Sequence, residues 1–190
     1  ELKVEFIKGI YNKIPSKVLS DVVGANMRDI GTPSYTESEL KWASDLTKTV
    51  SKDEKIGSLR KSKRPHWEKL VDVVMDTSVP EAWNDGIVSP GSTDVSDVSW
   101  MAPTMEFSTA TWPIGTPGHS WMNVAASAHS IGHKSLIFAS KVIATSGLDL
   151  LTDPELRKKA WEEHAQRTLG KEYKTPIPEG MNPPLDMWEK

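Results

Sequence analysis

The stretch Met101-Ala102-Pro103-Thr104-Met105-Glu106-Phe107-Ser108 is the one on which the fold turns. It reads as a core strand, and Ala110 to Trp112 reads as a second, shorter one. Both lie within Thr77 to Gly118, a region dense in Gly, Pro, Ser and Thr. Loops around short strands are where binding and catalytic residues tend to sit. Helical patterns flank the region on both sides. The expected fold class is therefore α/β, a mixed sheet with helices on its faces.

Upstream, Leu2, Val4 and Phe6 alternate with Lys3 and Glu5, the period of a half-buried strand. A strand with no lead-in suggests a chain that starts in mid-fold. Gly9 to Pro15 is a turn-rich connection. Ser16 is placed to cap a helix from about Lys17 to Ile30, which Gly31 closes. Thr36 followed by Glu39 is a capping-box pattern, opening a helix from about Glu37 to Val50. Ser51 to Pro65 holds Lys52, Lys55, Arg60, Lys61, Lys63 and Arg64 and little that is apolar; it reads as a solvated loop. Trp67 to Met75 fits either a helical or an extended segment.

Downstream, Val124 to Ser146 reads as one helix stopped by Gly147. Asp153-Pro154-Glu155 is a strong helix start, and that helix should run to about Leu169, with Gly170 after it. The Pro-rich tail from Lys171 should be irregular. No internal repeat is present.

The chain has 190 residues, 23 basic and 26 acidic side chains, and a formal net charge of −3. That length allows one domain, or one and a fraction, burying roughly 70% of its unfolded surface. An apolar share of 37% and a charged share of 26% exclude wholesale disorder and a fibrous design. Near-neutral balance argues against a dedicated nucleic-acid binder. Unbroken apolar runs fall short of the ~20 residues a membrane span needs, so no membrane partner is expected. No signal peptide is read at the start. The sequence has no Cys, which excludes disulfides and thiolate metal sites and suits a reducing, cytoplasmic setting.

Five histidines are candidates for chemistry: His66, His119, His129, His133 and His164. His129 and His133, four apart on an expected helix, have the spacing of a metal pair. The general-base Glu of the H-E-x-x-H motif is replaced by Ser130, so helix-start contacts are the plainer reading. His119 follows a rigid Pro117-Gly118 turn at a loop-to-helix junction, where neutral imidazole could ligate a divalent ion. Asp94 and Asp97 stand among hydroxyls in a turn. Either could face a site, and either could simply cap the turn through backbone amides.

Three segments, taken in order, carry a resemblance. Gly91-Ser92-Thr93-Asp94-Val95-Ser96-Asp97-Val98-Ser99-Trp100 is followed by Pro103-Thr104, then by Pro113-Ile114-Gly115-Thr116-Pro117-Gly118-His119-Ser120-Trp121. Together they resemble the C-terminal half of the aminoacylase/carboxypeptidase-like dinuclear metallohydrolases, most nearly amidohydrolases of the p-aminobenzoyl-glutamate hydrolase type. Ser130-Ile131-Gly132 fits that family's entry to its last helices, and the resemblance covers about residues 1 to 170.

The resemblance implies the C-terminal part of a zinc-exopeptidase-like catalytic domain. Residues 1–15 would be the last strand and exit linker of an otherwise absent lid or dimerisation domain, 16–170 the catalytic portion, and 171–190 an irregular tail. It matches His119 to the last metal ligand and Asp94 to a carboxylate beside the active site. Thr93 stands where the family usually has Glu, and His133 matches no ligand position. No catalytic residue falls within this chain, and substrate-binding residues are unassigned. The complete enzyme would hold two divalent ions, zinc or manganese, and hydrolyse the amide bond of an N-acyl or aminobenzoyl amino acid or small peptide. Its remaining ligands and general-base Glu would lie upstream. The implied partners are the chain's own N-terminal portion and, in the parent, a second copy as a homodimer; without the N-terminal portion the chain should be inactive. A rival reading is a non-catalytic binding or scaffold module of the same fold.

Overall fold

The computed structural model of the chain describes residues 1–4, 6–88, 91–183 and 185. Seven α-helices are present among them: α1 Lys17–Ile30, α2 Glu37–Leu46, α3 Lys52–Lys61, α4 Val95–Met101, α5 Trp121–Ala128, α6 Ser130–Thr152 and α7 Pro154–Thr168. A short 3-10 turn spans Trp67–Leu70.

Local chemistry sets most helix ends. The Ser16 hydroxyl accepts the Leu19 N–H at 3.3 Å, satisfying one orphan donor of α1. Gly31, at φ 76°, supplies the left-handed turn that ends α1. Thr36 with Glu39, and Ser51 with Glu54, form reciprocal capping boxes on α2 and α3. The Asp153 carboxylate accepts the Leu156 N–H at 3.0 Å, with Pro154 in the first turn of α7.

Helix α6 is the central packing element, touched by α1, α5 and α7. Phe138 and Val142 on α6 meet Val23 on α1, with Met27, Ile30, Met105 and Phe107 around them. A second cluster joins Ala43, Met75 and Ile131. Polar links tie the same helices. Asn26 on α1 donates to Ser146 Oγ (3.0 Å) and Asp149 Oδ2 (2.7 Å) on α6. Glu163 on α7 accepts from the Lys17 and Val18 N–H groups and the Ser16 hydroxyl (2.9–3.0 Å), closing the start of α1 from 147 residues away. Burial pulls the Glu163 carboxyl upward, but these donors and Arg167 outweigh it and hold it below the ordinary value. Glu39, buried on α2, accepts from Lys134 (2.7 Å) and Ser130 (2.6 Å) on α6, and its carboxyl is held down to about 2.

The expected α/β fold is overturned. Among the described residues there is no strand and no sheet. Met101 ends α4, and the residues after it run without a ladder. The side-chain alternation is nevertheless there: Met105 and Phe107 pack on the α1–α6 cluster, while Thr109 and Thr111 both reach Ser135 Oγ, at 2.6 and 2.9 Å. Alternation needs only one layer of helices to bury against. A ladder needs a second extended segment, which none of the described residues provides. The strand read at residues 1–8 is likewise irregular, with Leu2 and Val4 more than four-fifths exposed. Its Glu5, and residues 184 and 186–190 of the irregular tail, lie outside the described residues.

Four further expectations change. The basic stretch read as a loop is α3, opened by Ser51 and Glu54. Helix α4 occupies the segment read as a turn before a strand. The single helix read from Val124 to Ser146 is two: His129 sits at φ −85°, ψ 163° and breaks it. Gly132 allows the break, because a Cβ there would press on the Ser127 carbonyl and lie 2.6 Å from the Ala126 carbonyl. Gly147 does not stop α6, which continues to Thr152. At this length α6 is long and apolar enough, by length and composition, to cross a membrane. Counting unbroken apolar runs misses it, because Lys, Ser and His interrupt the run. In the structure one face of α6 buries Ile131, Phe138 and Val142, while Leu136, Ile143 and Leu151 stay exposed.

Candidate functional site

Two features are candidates for a site: the turn-rich loop that carries His119, and a cavity between that loop's base and the helices. The loop is anchored at its base. Pro113 is fully buried, Ile114 donates to the Val74 carbonyl at 2.9 Å, and Thr116 Oγ1 donates to the Pro113 carbonyl at 2.7 Å. Gly115, at φ 94°, lies against the Lys55 side chain, where a Cβ would stand 3.1 Å from Lys55 Cγ. Burial lowers the Lys55 ammonium pKa, and that group donates to the Val73 carbonyl at 2.6 Å.

At the loop's outer end, His119 is exposed and holds a left-handed backbone at φ 53°. Such a conformation is unfavourable for a side chain with a Cβ and persists only where the surroundings impose it. Ser120 Oγ closes the turn onto the Pro117 carbonyl at 2.7 Å. The imidazole makes no hydrogen bond among the described residues.

Asp94 is also exposed and stands just before α4. Its side chain does not cap the helix; its carbonyl accepts the Asp97 and Val98 N–H groups at 3.0 and 3.4 Å. Thr93 Oγ1 approaches its carboxylate at 3.5 Å. Asp97 is engaged elsewhere, accepting from the Tyr173 hydroxyl at 3.1 Å.

His129 and His133 do not form the metal pair their spacing allowed; His129 makes the helix-start contacts that were the plainer reading. His129 lies outside α6 as its N-cap, accepting the Ile131 N–H at 3.4 Å and stacking on Trp42 with centroids 3.9 Å apart. His133 lies within the first turn of α6 and is exposed, so the four-residue spacing no longer falls on one helix. His164 contacts the Ser99 carbonyl at 2.9 Å, and His66 sits in a left-handed turn.

The cavity has a volume of about 560 Å³, within the range of small-molecule sites. It runs along residues 105–110 and 112–116, bounded opposite by α1 and the 76–84 loop. Neither His119 nor Asp94 lines it. Its charged wall is Arg64, paired with Asp76 and donating to Ser78 Oγ at 2.6 Å; the Arg64 and Asp76 side chains are both less than one-fifth exposed. Asp76 also accepts the Ser78 N–H at 3.0 Å, and the Arg64 guanidinium sits 5.9 Å from the Trp83 ring. The sequence reading leaves Arg64 in a solvated run; its partner Asp76 lies 12 residues on, and no local pattern links the two.

The residues present do not, by themselves, fit the implied dinuclear centre. No group of three or more His, Asp or Glu side chains among the described residues could hold a metal ion. No chemical step through a metal follows from this chain's own geometry.

No family model and no solved structure matches the chain. Among curated proteins it is similar to a p-aminobenzoyl-glutamate hydrolase subunit of Escherichia coli (strain K12), at 27% identity over 190 residues. The match takes in 96% of this chain and falls on the C-terminal part of the relative. The chain spans only 39% of that relative's length.

Proposed function

We propose that the chain is the C-terminal portion of a hydrolase that cleaves the amide bond of an N-acyl or aminobenzoyl amino acid or small peptide. The observation that carries this reading is the similarity along 96% of the chain to a p-aminobenzoyl-glutamate hydrolase subunit. The Gly91–Trp100 and Pro113–Trp121 segments support it. In this reading the complete enzyme is cytoplasmic and dimeric and uses two divalent ions, zinc or manganese. His119 is one ligand, Asp94 a neighbour of the site, and the other donors come from an N-terminal portion. The exposed, unbonded imidazole on an anchored loop suits a ligand whose partners arrive from another segment. The chain alone should then be inactive.

The test is hydrolysis of p-aminobenzoyl-glutamate and a panel of acyl amino acids by the complete protein and by this chain, with metal analysis of both. The expected result is activity and bound divalent metal in the complete protein alone, both reduced by His119→Ala. A complete protein with neither would overturn the reading in favour of a binding or scaffold module.

A further inference from the structure

Three side chains of the basic run between Ser51 and Pro65 turn to a single segment, residues 72–76. Lys52 pairs with Asp72 at 3.2 Å, an exposed contact that contributes little. Arg64 pairs with Asp76, with both side chains largely buried. Lys55 sits between them on α3. Its ammonium donates to the Val73 carbonyl at 2.6 Å, partly withdrawn from water, where a charged donor is strong. The next residue, Val74, accepts the Ile114 N–H at 2.9 Å, and Met75 after it is packed in the core with Ala43 and Ile131.

Ile114 stands at the base of the loop that carries His119. Among the described residues, its N–H makes the one backbone hydrogen bond that joins residues 113–119 to a distant segment. The Lys55 stem also lies against Gly115, whose φ of 94° and close approach leave little room for a Cβ. Thr116 then folds back on Pro113, and His119 follows in a left-handed conformation that its surroundings must impose. One side chain thus holds both the segment that anchors the loop and the turn that leads to the imidazole. We propose that Lys55 is a positioning residue for His119: it fixes the 113–116 turn against α3 and residues 73–74, and so sets where the imidazole is presented. This rests on reading His119 as a site residue of a larger hydrolase. Lys55 acts through the loop rather than on a reacting atom.

The test uses the complete protein, with p-aminobenzoyl-glutamate and a panel of acyl amino acids as substrates. Lys55→Met keeps most of the apolar stem and removes the donor. In the metal-free protein, amide exchange at residues 114–116 should rise about tenfold or more, with α1 and α6 unchanged. The kcat should fall about ten- to a hundredfold, the cost of a misplaced group, with KM within about twofold of the parent. Lys55→Arg, which keeps a charged donor, should recover most of both losses. In a His119→Ala background, Lys55→Met should cost nothing further, because its effect runs through that imidazole. Parent-like turnover, or parent-like exchange at 114–116, in Lys55→Met overturns the proposal and leaves the hydrolase reading intact. Equal losses with and without His119, or faster exchange throughout the protein, also overturn it, by making Lys55 a stabilising residue only. A complete protein that hydrolyses nothing, or whose turnover ignores His119→Ala, overturns the reading of the site and this proposal with it.

Discussion

The helical body and the stretch from 102 to 120 solve one problem in opposite ways. Around α1, α6 and α7, polar groups find partners far along the chain: Asn26 with Ser146 and Asp149, the start of α1 with Glu163. Between 102 and 120, side chains do most of the anchoring, Thr109 and Thr111 to Ser135 and Met105 and Phe107 against the helices, while the N–H groups of residues 104–110 bond nothing among the described residues. The first region carries the stability. The second carries unspent hydrogen-bonding capacity, which is what a binding surface requires.

If this division holds, the largest loss should come from the body. Phe138→Ala removes a side chain only 5% exposed at the α1–α6 contact and should cost about 3–5 kcal/mol in urea unfolding followed by helical signal. A loss under about 1 kcal/mol would place the core elsewhere. Gly132→Ala comes next, at about 1–3 kcal/mol, because the new Cβ meets backbone rather than a flexible side chain. The accompanying sign would be reopening of the α5–α6 elbow, seen as faster exchange near His129.

Glu39→Gln sharpens the comparison through pH. With the carboxyl held down to about 2 against an ordinary 4.5, the charged network contributes fully above pH 4.5 and fades as pH falls toward 2. The variant should be less stable than the parent at pH 7, and the gap should close on acidification. A gap independent of pH would mean that Glu39 acts by packing alone. The smallest effect is expected in the loop: His119→Gly relieves a left-handed backbone and should change stability by only about 0.5 kcal/mol, toward higher stability. A marked loss there would move the loop into the structural half of the molecule.

Helix ends with side-chain chemistry of their own were legible: Ser16 and Gly31 on α1, Thr36 and Glu39 on α2, Asp153-Pro154 on α7. Features set by distant partners were not. The core strand read at Met101–Ser108 was not there: Met105 and Phe107 do pack on the helices, but an apolar run carries no information about whether a neighbouring backbone exists to bond. The α5–α6 break depends on how closely two turns approach over Gly132, a tertiary fact. Of the candidate site, His119 and Asp94 were legible as residues. Their separation from the cavity was not, nor was the Arg64–Asp76 wall, because neither leaves a local pattern.

The carboxylate of Glu163 has one more implication, for the order of events at the ribosome. Helix α1 is synthesised some 145 residues before the group that closes it, a delay on the order of ten seconds at ordinary elongation rates. Until α7 emerges, the nascent α1 has Ser16 alone at its head, and only the arrival of Glu163 completes that helix start.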